Sequence, residues 1–282
     1  MSERAFAVIG HPIGHTMSPF IHERLFSLAG CSGKYTVIDV APEEFPSRIG
    51  ELDRLAGYNV TIPDKQPIIP FLDRLDKRAE MYGSVNTVRN GEIREGFTTD
   101  PDGFLKSLET EGIPLAGDVV ILGCGGVART FLYEAALAGC DITLVSRERS
   151  AGVRDALAQE VREKVAGARV SACLISELEQ SGRDIGLLIN ATPVGMYPNI
   201  GASPVSDKTA DRCAAVFDAI YNPLDTKLVQ YARANGAKAA GGMGMLVWQA
   251  VSSHEIWDGS VYDTGNIQQI IEDSAAQLQK SF

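Results

Sequence analysis

Residues Val119–Arg129 read VVILGCGGVAR, and this stretch decides the predicted fold. Four apolar residues suit a buried strand, three glycines suit a tight turn after it, and the apolar spacing from Val127 onward suits a helix. Glycine accepts positive φ and lets a ligand approach the backbone, and a helix N-terminus offers free N–H groups and a favourable dipole to a phosphate. The stretch therefore predicts dinucleotide binding at Gly123, Gly125 and Gly126. A plain strand-to-helix connection is the alternative, because alanine stands where the usual GxGxxG pattern has its third glycine.

Length and charge restrict the class of protein. The chain has 282 residues, more than one hydrophobic core usually organises, so two domains are expected. Its 45% hydrophobic and 22% charged residues are typical of a globular protein. The net charge of -10 argues against a nucleic acid or an anionic membrane as the main partner, because both favour basic surfaces. A small anionic substrate would need a local pocket of hydrogen-bond donors or cations.

Cysteine usage and short apolar runs predict a cytoplasmic protein. The five cysteines lack paired spacing and fit reduced thiols better than a disulfide framework. The N-terminal MSERAFAVIG has too short an apolar run for a signal peptide, and no run is long enough to span a bilayer. The oligomeric state stays open, with a homodimer among the possibilities.

The first part of the chain alternates strands and helices and then forms a hairpin. Predicted strands cover 5–9, 34–40, 58–62, 84–89 and 92–98. Predicted helices start at Ser18 and cover 42–55 and 101–112. Between the last two strands, Asn90-Gly91 predicts a tight turn because both residues tolerate positive φ.

From Asp118 onward the alternation becomes regular. Predicted strands cover 119–122, 141–145, 169–173, 186–191 and 215–220. Predicted helices cover 127–138, 153–166 and 227–235, followed by two closing helices at 245–256 and 266–279. This pattern favours an α/β fold with a doubly wound parallel sheet.

Polar side chains cluster at strand ends of the first part. Asn59, Thr61 and Lys65 belong to the end of the third predicted strand, Asn86 and Thr87 lie on the hairpin, and Thr99 and Asp100 end its second arm. Ligands of open α/β sheets bind beyond the carboxyl ends of the strands, so these groups could converge on one crevice. If a nicotinamide binds nearby, oxidation of an alcohol also requires a group that takes the hydroxyl proton. Lys65 and Asp100 are the best pair for this role.

Eight motifs stand out along the chain: GHPIGHTMSP (10–19), NVTIPDK (59–65), SVNT (84–87), TTDPDG (98–103), GCGGVAR (123–129), NATPVGM (190–196), YNPLDT (221–226) and GMGMLVWQ (242–249). Together they resemble the motifs of shikimate dehydrogenases, a family that includes enzymes for the related acid quinate. They occur in family order over about nine tenths of the chain, which a shared nucleotide-binding fold alone does not produce.

The resemblance implies NADPH-dependent reduction of 3-dehydroshikimate to shikimate, a step towards aromatic amino acids. It implies an N-terminal α/β substrate domain plus a doubly wound Rossmann-type dinucleotide-binding domain, with C-terminal helices packing back on the N-terminal domain. The substrate domain is expected over 1–103, completed by 245–282, and the NADP-binding domain over 104–244.

The resemblance also assigns roles to individual residues. The family's catalytic lysine and aspartate fall on Lys65 and Asp100. The substrate-binding positions fall on Thr16, Ser18, Asn59, Thr61, Asn86, Asp100, Tyr221 and Gln249. The cofactor-binding positions fall on Gly123, Gly125, Gly126, Val127, Ala128, Ser146, Arg147, Arg149, Thr192, Val194 and Gly242. No metal is expected: although His11, His15 and His22 invite a metal interpretation, they lack a suitably spaced carboxylate or cysteine partner.

Four residues depart from the family pattern. Thr16 replaces a serine and adds a methyl group near the expected carboxylate position, which could alter preference between shikimate and quinate. Asp64 could add a negative charge beside Lys65. Thr98 and Trp248 replace an asparagine and a frequent histidine.

Cofactor preference depends on the sequence after the strand at 141–145. NAD enzymes usually carry an acid there for the ribose 2′-hydroxyl, whereas NADP enzymes use arginine on the 2′-phosphate. Ser146 and Arg147 favour NADP over NAD here, although Glu148 follows them.

Structural explanations compete with several of these roles. Ser18-Pro19 is a plausible N-cap and first helical residue, and Asp100 could cap the next helix. Asn59, Asn86 and Asn190 could each bond their own backbone, Gln249 could lie on a solvated helix face, and Arg147 and Arg149 could be plain surface charges.

Three other functions are weighed against the leading one. The first is a quinate or dual quinate/shikimate dehydrogenase that uses NAD. The second is a non-catalytic small-molecule or nucleotide-binding protein, which predicts damage at Lys65 or Asp100; both residues are present. The third and weakest is a methyltransferase, which leaves the N-terminal motifs unexplained.

Overall fold

Two six-stranded sheets organise the chain. The computed structural model describes residues 4–14 and 16–281. Contacts between Cα atoms divide the chain into unit 1, Met1–Gly103 with Val247–Phe282, and unit 2, Phe104–Leu246. In the described part of the chain, no helix has both the length and the apolar character needed to cross a membrane.

The sheet of unit 1 is mixed. Its strands are β1 (Arg4–Gly10), β2 (Gly33–Asp39), β3 (Gly57–Val60), β4 (Arg74–Leu75), β5 (Thr87–Asn90) and β6 (Arg94–Phe97), in the order β2-β1-β3-β5-β6-β4. β1 pairs in parallel with β2 and β3, whereas β5 pairs antiparallel with β3 and β6. Most of β1 is buried, as its nearly continuous apolar run predicts for a strand covered on both faces.

Helices cover the sheet of unit 1. They are α1 (Ser18–Leu28), α2 (Phe45–Leu52), α3 (Lys77–Tyr82), the start of α4 (Asp100–Thr110), most of α10 (Met243–Asp258) and α11 (Thr264–Ser281). The N-cap of α1 is Met17, so the predicted cap at Ser18 is wrong by one position and Pro19 is the second helical residue. Asp100 is likewise the first residue of its helix and does not precede it.

The hairpin is present, but its turn differs from the predicted one. Asn90 pairs with Arg94, so Gly91, Glu92 and Ile93 make the connection. Neither Asn90 nor Gly91 has positive φ. Asn90 instead donates from Nδ2 to the carbonyl oxygens of residues 52 and 55, which ties the hairpin to the end of α2.

Unit 2 contains the predicted doubly wound sheet. Its strands are β7 (Asp118–Leu122), β8 (Asp141–Ser146), β9 (Arg169–Leu174), β10 (Ile185–Asn190), β11 (Cys213–Asp218) and β12 (Lys238–Ala240), in the order β12-β11-β10-β7-β8-β9. Every neighbouring pair is parallel. β8 and β10 flank β7 on opposite sides, so the direction of strand succession reverses at β7, where ligands of such folds bind.

The helices of unit 2 include three that the sequence predicts and two that it misses. The predicted ones are α5 (Gly126–Leu137), α6 (Ala151–Lys164) and α9 (Lys227–Ala234). The missed ones are α7 (Ile175–Ser181) and α8 (Asp207–Ala210), which are too short to show a repeating apolar pattern. The missed strands β4 and β12 have two and three residues. All five cysteines are free.

A buried histidine pair makes the stability of unit 1 sensitive to acid. His22 and His254 are both fully buried, and His22 Nδ1 lies 3.0 Å from His254 Nε2. Burial lowers the pKa of both rings, that of His254 to about 4. The unfolded chain has a histidine pKa of about 6.5, so it binds more protons than the folded chain below that pH. Stability is therefore complete above pH ~6.5 and falls as the pH drops towards ~4.

We expect acid to lower the free energy of unfolding of unit 1 more in the wild type than in His254→Phe. At pH ~4, the lowered pKa of His254 reduces the free energy of unfolding of the wild type by about 3 kcal/mol relative to neutral pH. Both tryptophans, Trp248 and Trp257, lie in unit 1, so tryptophan fluorescence during urea unfolding at neutral and acidic pH measures this difference. Equal pH dependence in the two proteins contradicts the prediction.

Candidate functional site

Lys65 and Asp100 form an ion pair in unit 1. Lys65 lies in the turns that follow β3, and its backbone carbonyl accepts a hydrogen bond from the N–H of Val85 at 2.8 Å. Asp100 begins α4. Lys65 Nζ lies 2.5 Å from Asp100 Oδ2, and the side chains are 23% and 11% exposed. A lysine next to a carboxylate at a partly exposed position can exchange a proton with a bound ligand.

Asn86 holds the other oxygen of Asp100. Its Nδ2 donates to Asp100 Oδ1 at 2.9 Å and to Thr99 Oγ1 at 3.0 Å, and it lies 3.4 Å from Gln249 Oε1. Its Oδ1 accepts from the Thr99 N–H at 2.7 Å. Both carboxylate oxygens of Asp100 are therefore engaged, which fixes the direction in which the Lys65 ammonium is held.

Asn59 is a buried hub behind this pair. Its Oδ1 accepts from the Tyr35 hydroxyl at 2.6 Å. Its Nδ2 lies 3.0 Å from Thr87 Oγ1 and from Ser253 Oγ, and 3.2 Å from the Asn86 carbonyl oxygen. The alternative in which Asn59 bonds its own backbone is wrong, because these partners lie on β2, β5 and α10 or in the residue before β5. The protein itself satisfies the hydrogen-bonding groups of Asn59.

Sequence reasoning missed Tyr35 and Ser253. Tyr35 reads as one more aromatic residue of a strand, and Ser253 follows another serine on a helix. Ser253 Oγ also donates to the Gln249 carbonyl oxygen at 3.0 Å and lies 2.9 Å from Thr87 Oγ1. Gln249 is only partly exposed and its Oε1 faces the Asn86 amide, so the solvated-face alternative is wrong.

Two hydroxyls lie together at the start of α1. Thr16 Oγ1 donates to Ser18 Oγ at 3.0 Å and accepts from the Ser18 N–H at 3.1 Å. Among the described residues, nothing accepts a hydrogen bond from Ser18 Oγ, so this hydroxyl can donate to a bound carboxylate. The Thr61 hydroxyl makes no hydrogen bond to a described residue either, and Thr61 follows β3 directly.

The residues that depart from the family pattern are mostly buried. Asp64 is 1% exposed, and burial raises the pKa of its carboxyl. Thr98 is buried, and its hydroxyl has no partner in the described part of the chain. Trp248 is buried within α10, which is consistent with a packing role.

Tyr221 lies in unit 2, where burial raises the pKa of its phenol.

The glycine turn of unit 2 leaves space for a ligand. Gly123 has φ +108°, and a Cβ at this position would lie 3.0 Å from the carbonyl oxygen of residue 191. Gly125 caps α5 without a side chain, and α5 begins at Gly126. A Cβ on either of these two glycines would meet nothing within 4 Å. The first N–H groups of α5, with Val127 and Ala128 next along it, therefore face an open cradle that suits a pyrophosphate.

Two exposed arginines follow the end of β8. Ser146 ends the strand and donates from Oγ to the carbonyl oxygen of Arg147 at 3.0 Å. Arg147 and Arg149 are exposed and form no ion pair with any described residue. Glu148 between them is also exposed and unpaired within the described chain. Two exposed guanidinium groups at this strand end suit a phosphate on a ribose.

Asn190 shapes the loop after β10. Its Oδ1 accepts from the Thr192 N–H at 3.0 Å and from Thr192 Oγ1 at 2.7 Å, so this asparagine does bond its neighbouring backbone. Thr192 Oγ1 accepts from the Val194 N–H at 3.2 Å. Asn190 Nδ2 donates to Asp218 Oδ1 at 2.9 Å, and burial raises the pKa of that carboxyl to about 6. This loop lies beside the glycine turn, because β10 pairs with β7.

Gly242 also depends on close backbone approach. A Cβ on Gly242 would lie 2.2 Å from the carbonyl oxygen of residue 219, and the N–H of Gly242 donates to the Ile220 carbonyl oxygen at 2.9 Å.

The described residues contain no group of three or more histidine, cysteine or acidic residues that could hold a metal ion. His11 contacts Asp39 at 2.7 Å, His22 contacts His254, and His15 lies outside the described residues.

Comparisons with known proteins agree over most of the chain. Residues 8–88 match the family model for the "Shikimate dehydrogenase substrate binding domain". The chain is 38% identical over 264 residues to "Shikimate dehydrogenase (NADP(+))" from Caldanaerobacter subterraneus, which covers 92% of this chain and 93% of that protein. It is 41% identical over 263 residues to the protein of the same name from Methanopyrus kandleri, covering 89% of each.

A solved structure is similar to the whole fold. The crystal structure of shikimate 5-dehydrogenase from Thermus thermophilus in complex with NADP(H) and shikimate has a TM-score of 0.85 and 32% sequence identity. The match covers 96% of this chain and 99% of that one. The similarity therefore includes both units.

Proposed function

Since this chain belongs to the shikimate dehydrogenase family, we propose that it reduces 3-dehydroshikimate to shikimate with NADPH and catalyses the reverse oxidation with NADP⁺. The family expected from the eight motifs is confirmed. The observation that carries the activity is the contact of 2.5 Å between Lys65 Nζ and Asp100 Oδ2, since hydride transfer at an alcohol carbon also needs a group that exchanges the hydroxyl proton.

In this proposal Lys65 holds and moves the proton. When NADP is bound, its nicotinamide supplies the hydride chemistry. During reduction the Lys65 ammonium gives a proton to the substrate oxygen and becomes a neutral amine, which takes a proton back from solvent; during oxidation the neutral amine takes the proton of the substrate hydroxyl and becomes the ammonium. Asp100 keeps the ammonium in place through Oδ2, and Asn86 prevents the carboxylate from turning away through its bond to Oδ1.

Unit 1 is proposed as the substrate domain. The hydroxyls of Ser18 and Thr16 bind the substrate carboxylate. The Ser18 hydroxyl supports this, because it donates to no described residue. Thr61, Asn86, Asp100 and Gln249 bind the ring hydroxyls. Asn59 supports the site without contacting the substrate itself, because its amide is already hydrogen-bonded within the protein. Hydroxyl and amide donors suit a polyhydroxylated acid in a chain with a net charge of -10.

Unit 2 is proposed as the NADP-binding domain. The open cradle at Gly125 and Gly126 suits the pyrophosphate, and Arg147 and Arg149, which form no ion pair with a described residue, suit the 2′-phosphate. Thr192, Val194 and Gly242 follow the carboxyl ends of β10 and β12, the two strands on either side of β11, where the nicotinamide half is expected. Tyr221 remains a predicted substrate contact.

Initial rates with purified protein test the activity. Shikimate and quinate are each combined with NADP⁺ and NAD⁺, and the formation of reduced nicotinamide is followed. We expect turnover with shikimate and NADP⁺ to exceed each other combination by at least about tenfold in kcat/KM, since NAD⁺ lacks the phosphate that the two arginines would bind and a wrong ring substituent leaves buried polar groups of unit 1 unpaired.

The other outcomes identify the alternatives. Preference for quinate or NAD⁺ supports the quinate dehydrogenase alternative, and Thr16→Ser then tests whether the extra methyl group causes it. No turnover in any combination, together with thermal stabilisation by NADP⁺, supports the binding protein. No turnover and no stabilisation contradicts the proposal altogether.

A further inference from the structure

We infer that Tyr35 is a positioning residue for the reaction, which acts on the Lys65 and Asp100 pair through the amide of Asn59. The inference rests on the proposed function and extends it to a strand, β2, that contributes none of the residues proposed to touch substrate. It follows from one chain of buried hydrogen bonds within unit 1.

Tyr35 is held rigidly and is a hydrogen-bond donor. It is 5% exposed, and its ring stacks on His22 with a centroid distance of 4.0 Å and an interplanar angle of 6°. Burial raises the pKa of the phenol well above its ordinary value, so the hydroxyl keeps its proton. That proton is directed at Asn59 Oδ1 over 2.6 Å.

This contact sets the orientation of the Asn59 amide. Thr87 and Ser253 present hydroxyls, which can donate or accept, so they do not distinguish the oxygen of an amide from its nitrogen. The Asn86 carbonyl oxygen only accepts and lies 3.2 Å from Nδ2. Tyr35 on one end and the Asn86 carbonyl on the other therefore select one of two orientations. Without the Tyr35 hydroxyl, Oδ1 loses its donor in a buried site.

The orientation of Asn59 affects the reacting pair through β5. Asn59 is opposite Thr87 in the antiparallel pairing of β3 with β5. Thr87 Oγ1 lies 3.2 Å from Asn86 Oδ1, and Asn86 holds Asp100 at 2.9 Å. Each member is at most 7% exposed, so water does not readily replace a lost partner.

Tyr35→Phe tests the inference, with Tyr58→Phe as the matched control. Tyr58 is the residue before Asn59, is fully buried in a different core cluster, and its hydroxyl has no hydrogen-bond partner among the described residues. Both variants remove one buried hydroxyl from one tyrosine. We expect Tyr35→Phe to lower kcat/KM for shikimate by about five- to tenfold and to leave the KM for NADP⁺ unchanged. Tyr58→Phe keeps wild-type kinetic constants.

The Asn59→Ala background tests whether Tyr35 acts through Asn59. If it does, Asn59→Ala alone lowers kcat/KM for shikimate, and adding Tyr35→Phe lowers it no further. Kinetics of Tyr35→Phe that match those of Tyr58→Phe overturn the inference, and so does a full additional loss in the double variant. Both results leave the proposed function intact, whereas wild-type protein that does not turn over shikimate removes the proposed function and this inference together.

Discussion

We expect Lys65→Ala to lower kcat for shikimate oxidation by about 10³- to 10⁴-fold while the KM for shikimate changes by less than about threefold. The ammonium is the group that exchanges the substrate proton in our proposal, and the contact of 2.5 Å with Asp100 Oδ2 holds it in place. The groups proposed to bind substrate, such as the Ser18 hydroxyl and the Asn86 amide, remain in the variant. Steady-state kinetics with saturating NADP⁺ measure both constants.

One further variant separates proton exchange from charge pairing, and a second serves as a control. Lys65→Arg keeps a cation beside Asp100, but a guanidinium does not release its proton, so kcat stays low. Lys77→Ala removes an exposed lysine of unit 1 that forms no ion pair with the described residues, and it leaves activity unchanged. Near-normal turnover in Lys65→Ala would show that another group exchanges the proton.

The sequence predicts the architecture of unit 2 well, because the connections between its parallel strands have an apolar spacing that differs from that of the strands. The buried run at β7 and the glycines after it are a local signal, and the structure places Gly123 at φ +108° and starts α5 at Gly126. Short elements carry no such signal. The two-residue β4 and the four-residue α8 form because their surroundings provide partners.

The polar residues of the candidate site could be predicted as a group but not as a network. Lys65 and Asp100 follow β3 and β6, Asn86 directly precedes β5, and the structure brings the three together. Nothing in the sequence indicates that Tyr35 bonds Asn59, or that Ser253, 194 residues further on, bonds the same amide. A strand pattern shows that a tyrosine is buried, but the partner of its hydroxyl depends on packing between distant segments.

The hairpin shows why a local signal can give the right element for the wrong reason. Asn90-Gly91 marks the connection between β5 and β6, but Asn90 stays paired within β5. Its amide satisfies two carbonyl groups near the end of α2. The tertiary hydrogen bonds therefore decide its conformation over the turn preference of the dipeptide.

The cofactor preference rests on the two arginines after β8. We expect the double variant Arg147→Ala with Arg149→Ala to lower kcat/KM for NADP⁺ by about 10²-fold, because each charge-assisted hydrogen bond to a phosphate contributes about 1.5 kcal/mol. The value for NAD⁺, which lacks the 2′-phosphate, changes by less than about threefold. Both arginines are exposed and free of ion pairs among the described residues, so their removal leaves no buried charge behind.

Glu148 provides a control of opposite sign on the same turn. It lies between the two arginines, is exposed, and has no ion-pair partner in the described chain. Glu148→Gln removes a negative charge near the proposed 2′-phosphate position, so the preference for NADP⁺ over NAD⁺ rises by a few-fold, and added salt reduces this gain by screening. If the double arginine variant keeps the wild-type ratio of NADP⁺ to NAD⁺ activity, the 2′-phosphate binds elsewhere, and the agreement between this loop and an NADP-type sequence has no functional meaning.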